Sequence, residues 1–128
     1  DNVVSVNASL QIDLTGQVCA ESIGPYQHSG TGGATDFAWG AYHSKGGRAI
    51  LAQTSTTKKG TLSRIVPILD PGAVVSVSRN LTDMVVTEYG VAKLRQRTVG
   101  QRVENLIAVA HPDFRAELRK QAAKYMYY

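Results

Sequence analysis

The first part of the chain alternates apolar and polar side chains at the spacing of a β-strand. Apolar residues occupy every second position from Leu10 to Leu14, and after a Thr-Gly pair the stretch 17–21 continues the alternation. Two such stretches around a glycine-containing turn predict a β-hairpin with one buried face. Cys19 lies within the second stretch, so we expect its thiol to pack in the core.

Strand-like and turn-like segments also alternate through the middle of the chain. Glycines are dense in the loop 24–33, which leads into a predicted helix over 34–43. Later apolar segments have the length of strands and predict strands over 48–53, 64–69, 73–78 and 84–88. The Asp-Pro-Gly turn at 70–72 separates two of them, because proline presets its own φ and glycine accepts a left-handed one.

The last third of the chain changes to a helical period. Two apolar stripes recur at helical spacing, namely Val99, Val103, Leu106 and Ala110, then Phe114, Leu118, Ala122 and Tyr125. Thr98 and Gln101 match a capping box at the start of the first helix. Pro112 suits the first turn of the second helix, with His111 at the boundary. Strands followed by two closing helices predict an α/β or α+β sheet domain.

Composition and charge limit the classes of protein to be considered. The 128 residues are 43% apolar and 19% charged, without a repeat or a biased segment, which predicts one soluble globular domain over 1–128. The net charge of +4 comes from scattered Lys and Arg residues rather than from a dense basic stripe. This distribution argues against a nucleic-acid partner but suits a small phosphate-bearing ligand.

Cysteine, histidine and the apolar runs narrow the possibilities further. A single cysteine predicts no internal disulfide and no zinc framework, and it favours a reducing compartment such as the cytoplasm. The three histidines lack metal-ligand spacing, so no metal site is expected. The apolar runs are too short to cross a membrane, and the first residues lack the pattern of a signal peptide.

The segment 30–37, GTGGATDF, is the strongest candidate for chemistry on physical grounds. Paired glycines ahead of a helix leave backbone N–H groups open, so the loop can hold an oxyanion or a phosphate. A strained turn without a ligand accounts for the same pattern equally well. Within the segment, we expect Asp36 to cap the helix rather than to orient a catalytic base.

Three charged side chains are candidates to support such a site. Glu88 follows an apolar strand, where a carboxylate is costly unless it is paired or used, although a solvated strand end is an equal alternative. Lys58, in the turn TTKKGT, and Arg64 on the next predicted strand are candidates to place a cation beside a ligand phosphate. The residues alone therefore predict a sheet domain with an anion-binding loop.

Six segments, read in order, resemble a known family. They are NASLQIDLTGQVCAESIG, GTGGATDFAWGAYHSKGG, TTKKGTLSRIVPIL, VVSVSRN, VVTEYGVAKLR and AHPDFR, and they span most of the chain from Asn7 onwards. In this order they resemble the C-terminal domain of the acetyl-CoA hydrolase/transferase family, which includes 4-hydroxybutyrate, butyryl-CoA:acetate and succinyl-CoA:acetate CoA-transferases. Six ordered motifs are more specific than a single glycine loop.

The resemblance implies an α/β fold, with an open sheet of the family I CoA-transferase (NagB/RpiA/CoA-transferase-like) type, an N-terminal hairpin and C-terminal amphipathic helices. In that family two similar domains face each other across the active site, and the full enzyme is expected to be a homodimer. A glutamate attacks the acyl-CoA thioester, carries CoA as a glutamyl thioester and passes it to a short-chain carboxylate. Coenzyme A thioester is the substrate, and no covalent cofactor is expected.

The same resemblance implies roles for individual residues. The attacking glutamate is expected in an N-terminal domain that precedes Asp1, so the isolated chain is expected to be inactive. Gly32 and Gly33 would form an oxyanion hole at the thioester carbonyl. Asn7 would position the acyl or carboxylate group. Two further residues, Glu88 and Lys58, would line the pocket and contact CoA, respectively.

Two positions depart from the usual pattern of the family. Glu21, on the hairpin, occupies a position where relatives often carry aspartate, and it is not expected to be the nucleophile. Where relatives usually read Leu-Arg-Gly, this chain has glutamine at the third position, Gln96. Since glycine there suits a tight turn, Gln96 predicts either a tolerant backbone or a local rearrangement.

Three functions stay open on the sequence alone. The first is CoA transfer from an acyl-CoA to a short-chain carboxylate, and the second is hydrolysis of the same intermediate by water, as in an acetyl-CoA hydrolase. The third is a non-catalytic CoA-binding module, because no residue of this chain is expected to attack a thioester. The sequence does not define which acyl-CoA or which acceptor is used.

Overall fold

A computed structural model of the protein describes residues 1–125, so the last three residues of the predicted domain lie outside the described residues. Eleven strands and three helices follow one another along this part of the chain. They are β1 Val4–Asn7, β2 Gln11–Asp13, β3 Val18–Cys19, β4 Ser22–Ile23, β5 Tyr26–Gln27, α1 Ala34–His43, β6 Arg48–Ala52, β7 Thr56–Thr57, β8 Leu62–Ser63, β9 Ile65–Val66, β10 Met84–Thr87, β11 Gly90–Lys93, α2 Val99–Val109 and α3 Pro112–Lys124.

The main sheet has the strand order β1-β6-β10-β11. Its first three strands are parallel, and β11 returns antiparallel to β10. The connection from β1 to β6 contains α1, which packs on both strands, while α2 packs on β10 and β11 and also contacts α3. Because parallel neighbours need a crossover, α1 runs against the strand direction and begins at the edge where the parallel strands end.

One face of the main sheet forms the core with the helices. Ala49, Leu51, Val85 and Ala92 point to this face and are buried. The buried apolar side chains of α2, including Leu106 and Ile107, belong to the same hydrophobic cluster. The structure is therefore a mixed α/β domain whose open sheet is covered on one side by helices.

A second sheet, in the order β3-β2-β9, contains the predicted hairpin. Strands β2 and β3 pair antiparallel, which confirms the hairpin, and β9 joins β2 in parallel. Cys19 is fully buried in β3, as expected, and its sulfur lies 3.2 Å from the carbonyl oxygen of Ser22. The two remaining pairs, β4 with β5 and β7 with β8, are short antiparallel hairpins that the sequence did not predict.

The predicted helices are confirmed, and their ends follow local sequence signals. Thr98 and Gln101 form the capping box of α2, in which each side chain accepts from the other residue's backbone N–H. His111 caps α3, and Pro112 opens its first turn. Asp36 is an exception, because α1 begins after Gly33 and no side chain caps it. The prediction that Asp36 caps the helix is wrong, although its carboxylate lies in the first turn, where the helix dipole favours it.

One predicted strand is shorter in the structure, and another is absent. The segment 64–69 shortens to β9, because Pro67 has no N–H to donate to a ladder. The prediction of a strand over 73–78 is wrong. Within this segment only Val77 pairs with another residue, in an isolated bridge to Val18. Next to that bridge, the Ser76 hydroxyl accepts the N–H of Ala20 in place of a backbone carbonyl, which interrupts the ladder.

Two strands of the main sheet were missed by the sequence analysis. Strand β1 is the first, although the Val-Val-Ser-Val run at 3–6, which overlaps it, is rich in β-branched residues. Strand β11 is the second, and it follows a turn of only two residues, Glu88 and Tyr89, at the end of the predicted strand 84–88. The strands predicted over 48–53 and 84–88 are confirmed as β6 and β10.

Gln96 keeps a left-handed backbone with φ of 59°, so the chain tolerates the strained conformation rather than rearranging. We expect Gln96→Gly to raise the free energy of unfolding by roughly 0.5–1 kcal/mol, because glycine removes the steric cost of positive φ but adds entropy to the unfolded chain. Urea unfolding tests this. Arg97→Gly is the matched control, since Arg97 has no positive φ, and it is expected to lower stability. Equal losses in both variants would contradict the prediction.

Candidate functional site

The candidate site lies at the edge where the parallel strands of the main sheet end. Asn7 is the last residue of β1, and Glu88 directly follows β10. The amino end of α1 lies at the same edge, which brings Gly32 and Gly33 there as well. Open α/β sheets bind ligands at the carboxyl ends of their strands. Four of the five predicted site residues therefore share one edge of the sheet.

Gly32 and Gly33 form the turn that leads into α1. Gly32 has a left-handed backbone with φ of 62°, and Gly33 is the N-cap with φ of −107° and ψ of 11°. Their backbone N–H groups meet no hydrogen-bond acceptor within residues 1–125. At the positive end of the helix dipole, these N–H groups can donate to a bound oxyanion.

The glycine-rich loop is anchored by Glu21, which is buried. The Glu21 carboxylate accepts hydrogen bonds from the Ser76 hydroxyl at 2.8 Å and from the Gln27 side chain at 2.7 Å, and its carbonyl oxygen accepts the N–H of His28 at 2.7 Å. Across the loop, the Thr35 hydroxyl donates to the carbonyl oxygen of Ser76. Glu21 therefore holds the middle of the loop, and Ser76, which donates to Glu21, holds Thr35 just beyond the end of the loop. The sequence analysis missed this structural role.

Asn7 lies against the first turn of α1. Its side chain is half-buried and lines a small cavity together with Ala34, Leu51 and Asp83. The cavity, about 10 Å³, has room for about one water molecule. The Asn7 amide makes no hydrogen bond to any described residue, so its N–H₂ and carbonyl groups are available to a ligand at the sheet edge.

The Glu88 carboxylate is fixed by the chain that follows β6. The backbone N–H of Ser55 donates to both carboxylate oxygens, at 2.9 and 3.1 Å. Ser55 is fully buried, and its hydroxyl forms no hydrogen bond with any described residue. Nothing in the Thr-Ser-Thr-Thr sequence marks Ser55, because its role depends on a partner 33 residues away.

Opposing effects act on the pKa of Glu88. Desolvation raises the pKa of the carboxyl group, but hydrogen bonding from Ser55 and from the Glu88 backbone, with a smaller electrostatic effect of His111, holds it below its usual value. The carboxyl group is exposed, so the bulk solvent limits each of these effects. Glu88 is therefore an ionised, oriented carboxylate at neutral pH.

We expect the stability advantage of wild type over Glu88→Gln to disappear in acid. A carboxyl group whose pKa is lowered by folding stabilises the protein above the pKa of its unfolded form, and this contribution is lost as pH falls through the lowered pKa of the folded form. Urea midpoints of both proteins, measured from neutral pH down through the carboxyl range, test this. A difference that stays constant over that range would contradict the assigned role of Ser55.

Lys58 lies apart from the other predicted site residues. It belongs to the turn between β7 and β8, where Lys58, Lys59 and Gly60 all have positive φ. Its side chain lines a groove of about 190 Å³ together with Arg64 and Ile23. Arg64 is the second predicted phosphate ligand, but its guanidinium donates to backbone carbonyl groups, including that of Ser9 at 3.1 Å. The ammonium group of Lys58, in contrast, makes no hydrogen bond or ion pair with any described residue, and only its backbone carbonyl accepts, from Thr61.

Neither a metal centre nor a membrane span stands out in the described part of the chain. No group of three or more His, Cys, Asp and Glu side chains within residues 1–125 is placed to hold a metal ion. None of the helices there is long and apolar enough to cross a bilayer.

Comparison with known proteins shows the family. The family model "Acetyl-CoA hydrolase/transferase C-terminal domain" matches residues 1–122. The succinyl-CoA:cyclohexane-1-carboxylate CoA transferase of Geobacter metallireducens is 56% identical over 124 residues, which are 97% of this chain and 28% of that protein. The crystal structure of RipA from Yersinia pestis matches all of this chain with 29% of its own, at 48% identity and a TM-score of 0.92.

A solved CoA-transferase extends the comparison. The crystal structure of 4-hydroxybutyrate CoA-transferase from Porphyromonas gingivalis matches 95% of this chain with 26% of its own, at 48% identity and a TM-score of 0.76. The chain spans less than a third of the length of each of these relatives. Its sequence matches the family model over residues 1–122, and its fold resembles those of the two solved structures. The chain therefore belongs to the acetyl-CoA hydrolase/transferase family, as its C-terminal domain.

Proposed function

We propose that this chain is the C-terminal part of an acyl-CoA:carboxylate CoA-transferase, such as a 4-hydroxybutyrate or butyryl-CoA:acetate CoA-transferase, that works through a glutamyl-CoA thioester. One observation carries the proposal. The unpartnered N–H groups of Gly32 and Gly33, the free amide of Asn7 and the oriented carboxylate of Glu88 share one edge of the sheet. The names of the Geobacter and Porphyromonas relatives, both CoA-transferases, support the same reaction.

The attacking glutamate belongs, in this proposal, to an N-terminal domain that precedes residue 1. Each glutamate of this chain has another role. Glu21 and Glu88 are held by the hydrogen bonds described above, Glu104 lies 3.5 Å from Arg119, and Glu117 accepts from Gln121 at 2.7 Å. Residues 1–128 would then belong to one of the two domains of a family I CoA-transferase fold, with the active site in the cleft between the domains.

The proposed role of Gly32 and Gly33 follows from where charge develops. When the glutamate attacks the thioester, the carbonyl oxygen of the thioester becomes an oxyanion. The N–H groups of both glycines can stabilise this charge. Loss of CoA thiolate gives an acyl-glutamyl anhydride. The thiolate then attacks the glutamyl carbonyl, releases the donor carboxylate and leaves the glutamyl-CoA thioester. The acceptor carboxylate repeats these two steps in reverse.

The remaining residues have supporting roles in the proposal. The amide of Asn7 would donate to the carboxylate or acyl oxygen, since it has no partner in the described chain. Glu88 lines the pocket and orients its neighbours, while Lys58, from its separate groove, contacts a phosphate of CoA. CoA is thus bound as a substrate thioester rather than as a resident cofactor.

The proposal extends to the assembly and location of the enzyme. We propose a cytoplasmic homodimer that acts on acyl-CoA and short-chain carboxylates, with no nucleic acid and no membrane as partner. The family resemblance supports the homodimer. The buried thiol of Cys19, which forms no disulfide in the described chain, suits a reducing compartment.

The test uses the full-length enzyme with an acyl-CoA donor and acetate. We expect acetyl-CoA to form, and a protein-bound CoA adduct to appear by mass spectrometry when the donor is added without an acceptor. Release of free CoA at the same rate with and without acetate would instead identify a hydrolase. Binding of CoA without an adduct or a product would identify a non-catalytic CoA-binding module.

A further inference from the structure

The main sheet leaves its second face uncovered. The pairing register places Val4 and Val6 of β1 on this face, in line with Ile50 of β6. It also places Val86 of β10 and Val91 of β11 there. We use the name open face for the seven apolar side chains on this side, which are Val4, Val6, Ile50, Ala52, Met84, Val86 and Val91. At the two outer strands the exposure is highest, with Val4 at 56%, Val6 at 63% and Val91 at 56%.

The opposite face of the same strands shows what a covered face looks like. Ala49, Leu51 and Val85 alternate with residues of the open face, and each is at most 7% exposed, because α1 and α2 pack over them. Parallel strands are normally covered on both faces and read as continuous apolar runs. Strands β6 and β10, with the sequences RAILA and MVVT, have this character. The sequence of these strands therefore suits a sheet with a second covering layer.

The length of the relatives provides a candidate for the segment that covers the open face. This chain matches 26% to 29% of each of them, and the matching model is that of a C-terminal domain. More than two thirds of each relative therefore lies outside the matched region. We propose that the open face packs against a segment of the same polypeptide that precedes residue 1, an inference that rests on the two-part enzyme proposed above.

Charge on the open face indicates how the covering segment is oriented. Arg48, paired with Val4, and Lys93, paired with Met84, are exposed on the same side as the open face. Both lie at the edge where the parallel strands begin. A helix that runs against the strands would place its negative carboxyl end at this edge, beside the two cations. We therefore expect the covering segment to bring negative charge, from the carboxyl end of a helix or from acidic side chains, close to Arg48 and Lys93.

Thiol labelling of the full-length polypeptide tests the open face. In a background without other reactive cysteines, Val6→Cys and Val91→Cys place a thiol on the open face, and Ala116→Cys places one on the exposed side of α3 as a control. We expect the thiols on the open face to react with a maleimide at least about 100-fold more slowly than the control, and all three to react alike in urea. The ratio should not depend on protein concentration.

Two results would overturn the inference. Native labelling as fast as that of Ala116→Cys would show that the open face is solvent-exposed in the whole protein. Protection that disappears on dilution would show that a second copy, and not the preceding segment, covers the face. Neither measurement needs CoA or turnover, so protection together with a failed CoA-transfer assay would refute the proposed function and leave this inference standing.

Discussion

Proline in place of Gly33 is expected to lower the kcat of the full-length enzyme by about 100-fold or more relative to Gly33→Ala. Both variants add side-chain atoms at the same position, but only proline removes the N–H. That N–H meets no acceptor in the described chain, so its loss breaks no hydrogen bond of the fold. If Gly33 has the proposed oxyanion role, the loss should weaken stabilisation of the transition state more than binding of the substrate.

Gly33→Ala is the control for this experiment because it keeps the N–H. A Cβ atom at Gly33 would lie 3.2 Å from the ring of Phe37, which is exposed and can move by the small distance required. Steady-state kinetics of the full-length enzyme separate the outcomes. Similar kcat values for both variants, with unchanged thermal stability, would exclude the Gly33 N–H as an oxyanion donor. A rise in KM alone would assign the N–H to ground-state binding.

The elements that could be predicted are those whose signals are local. Thr98 and Gln101 lie three residues apart and form the capping box of α2, and Pro112 lies in the first turn of α3. The signals for both helix starts therefore lie within a few residues of each start. The hairpin of β2 and β3 was also predictable, because its apolar alternation and its turn lie within a few residues.

Elements that depend on distant partners could not be predicted in the same way. The segment 73–78 has the composition of a strand, yet Ser76 uses its hydroxyl to bind the N–H of Ala20, 56 residues away, and no ladder forms. In contrast, β1 becomes a strand because β6, more than 40 residues later, pairs with it. Short apolar runs do not contain this information.

The candidate site likewise contains residues that local motifs identify and residues that depend on distant partners. The glycine turn, Asn7 and Glu88 were named from motifs, and the structure brings them to one edge of the sheet. Ser55 and Glu21 were not identified as supports, because each acts through hydrogen bonds to residues that are distant in the chain. A buried carboxylate such as Glu21 is recognised only when its donors are known.

Alanine at Gly47 is expected to lower the free energy of unfolding by about 3 kcal/mol or more. Gly47 lies between α1 and β6, where its N–H donates to the carbonyl oxygen of Ser44 at 2.8 Å. A Cβ atom at this position would clash with the carbonyl oxygen of Ala41, and it would lie 2.9 Å from the Cβ atom of Ser44. Ala41 is fully buried, so its backbone cannot move without opening the core beneath α1.

Gly40→Ala is the matched control, because it makes the same change in a helix with open space around it. A Cβ atom at Gly40 meets nothing within 4 Å among the described residues, and alanine is the better helix former. We expect this variant to gain roughly 0.5–1 kcal/mol. Urea unfolding of both variants is the measurement. If Gly47→Ala is as stable as wild type, the end of α1 does not close over Gly47, and the placement of α1 on β6, which brings the glycine turn to the site, must be revised.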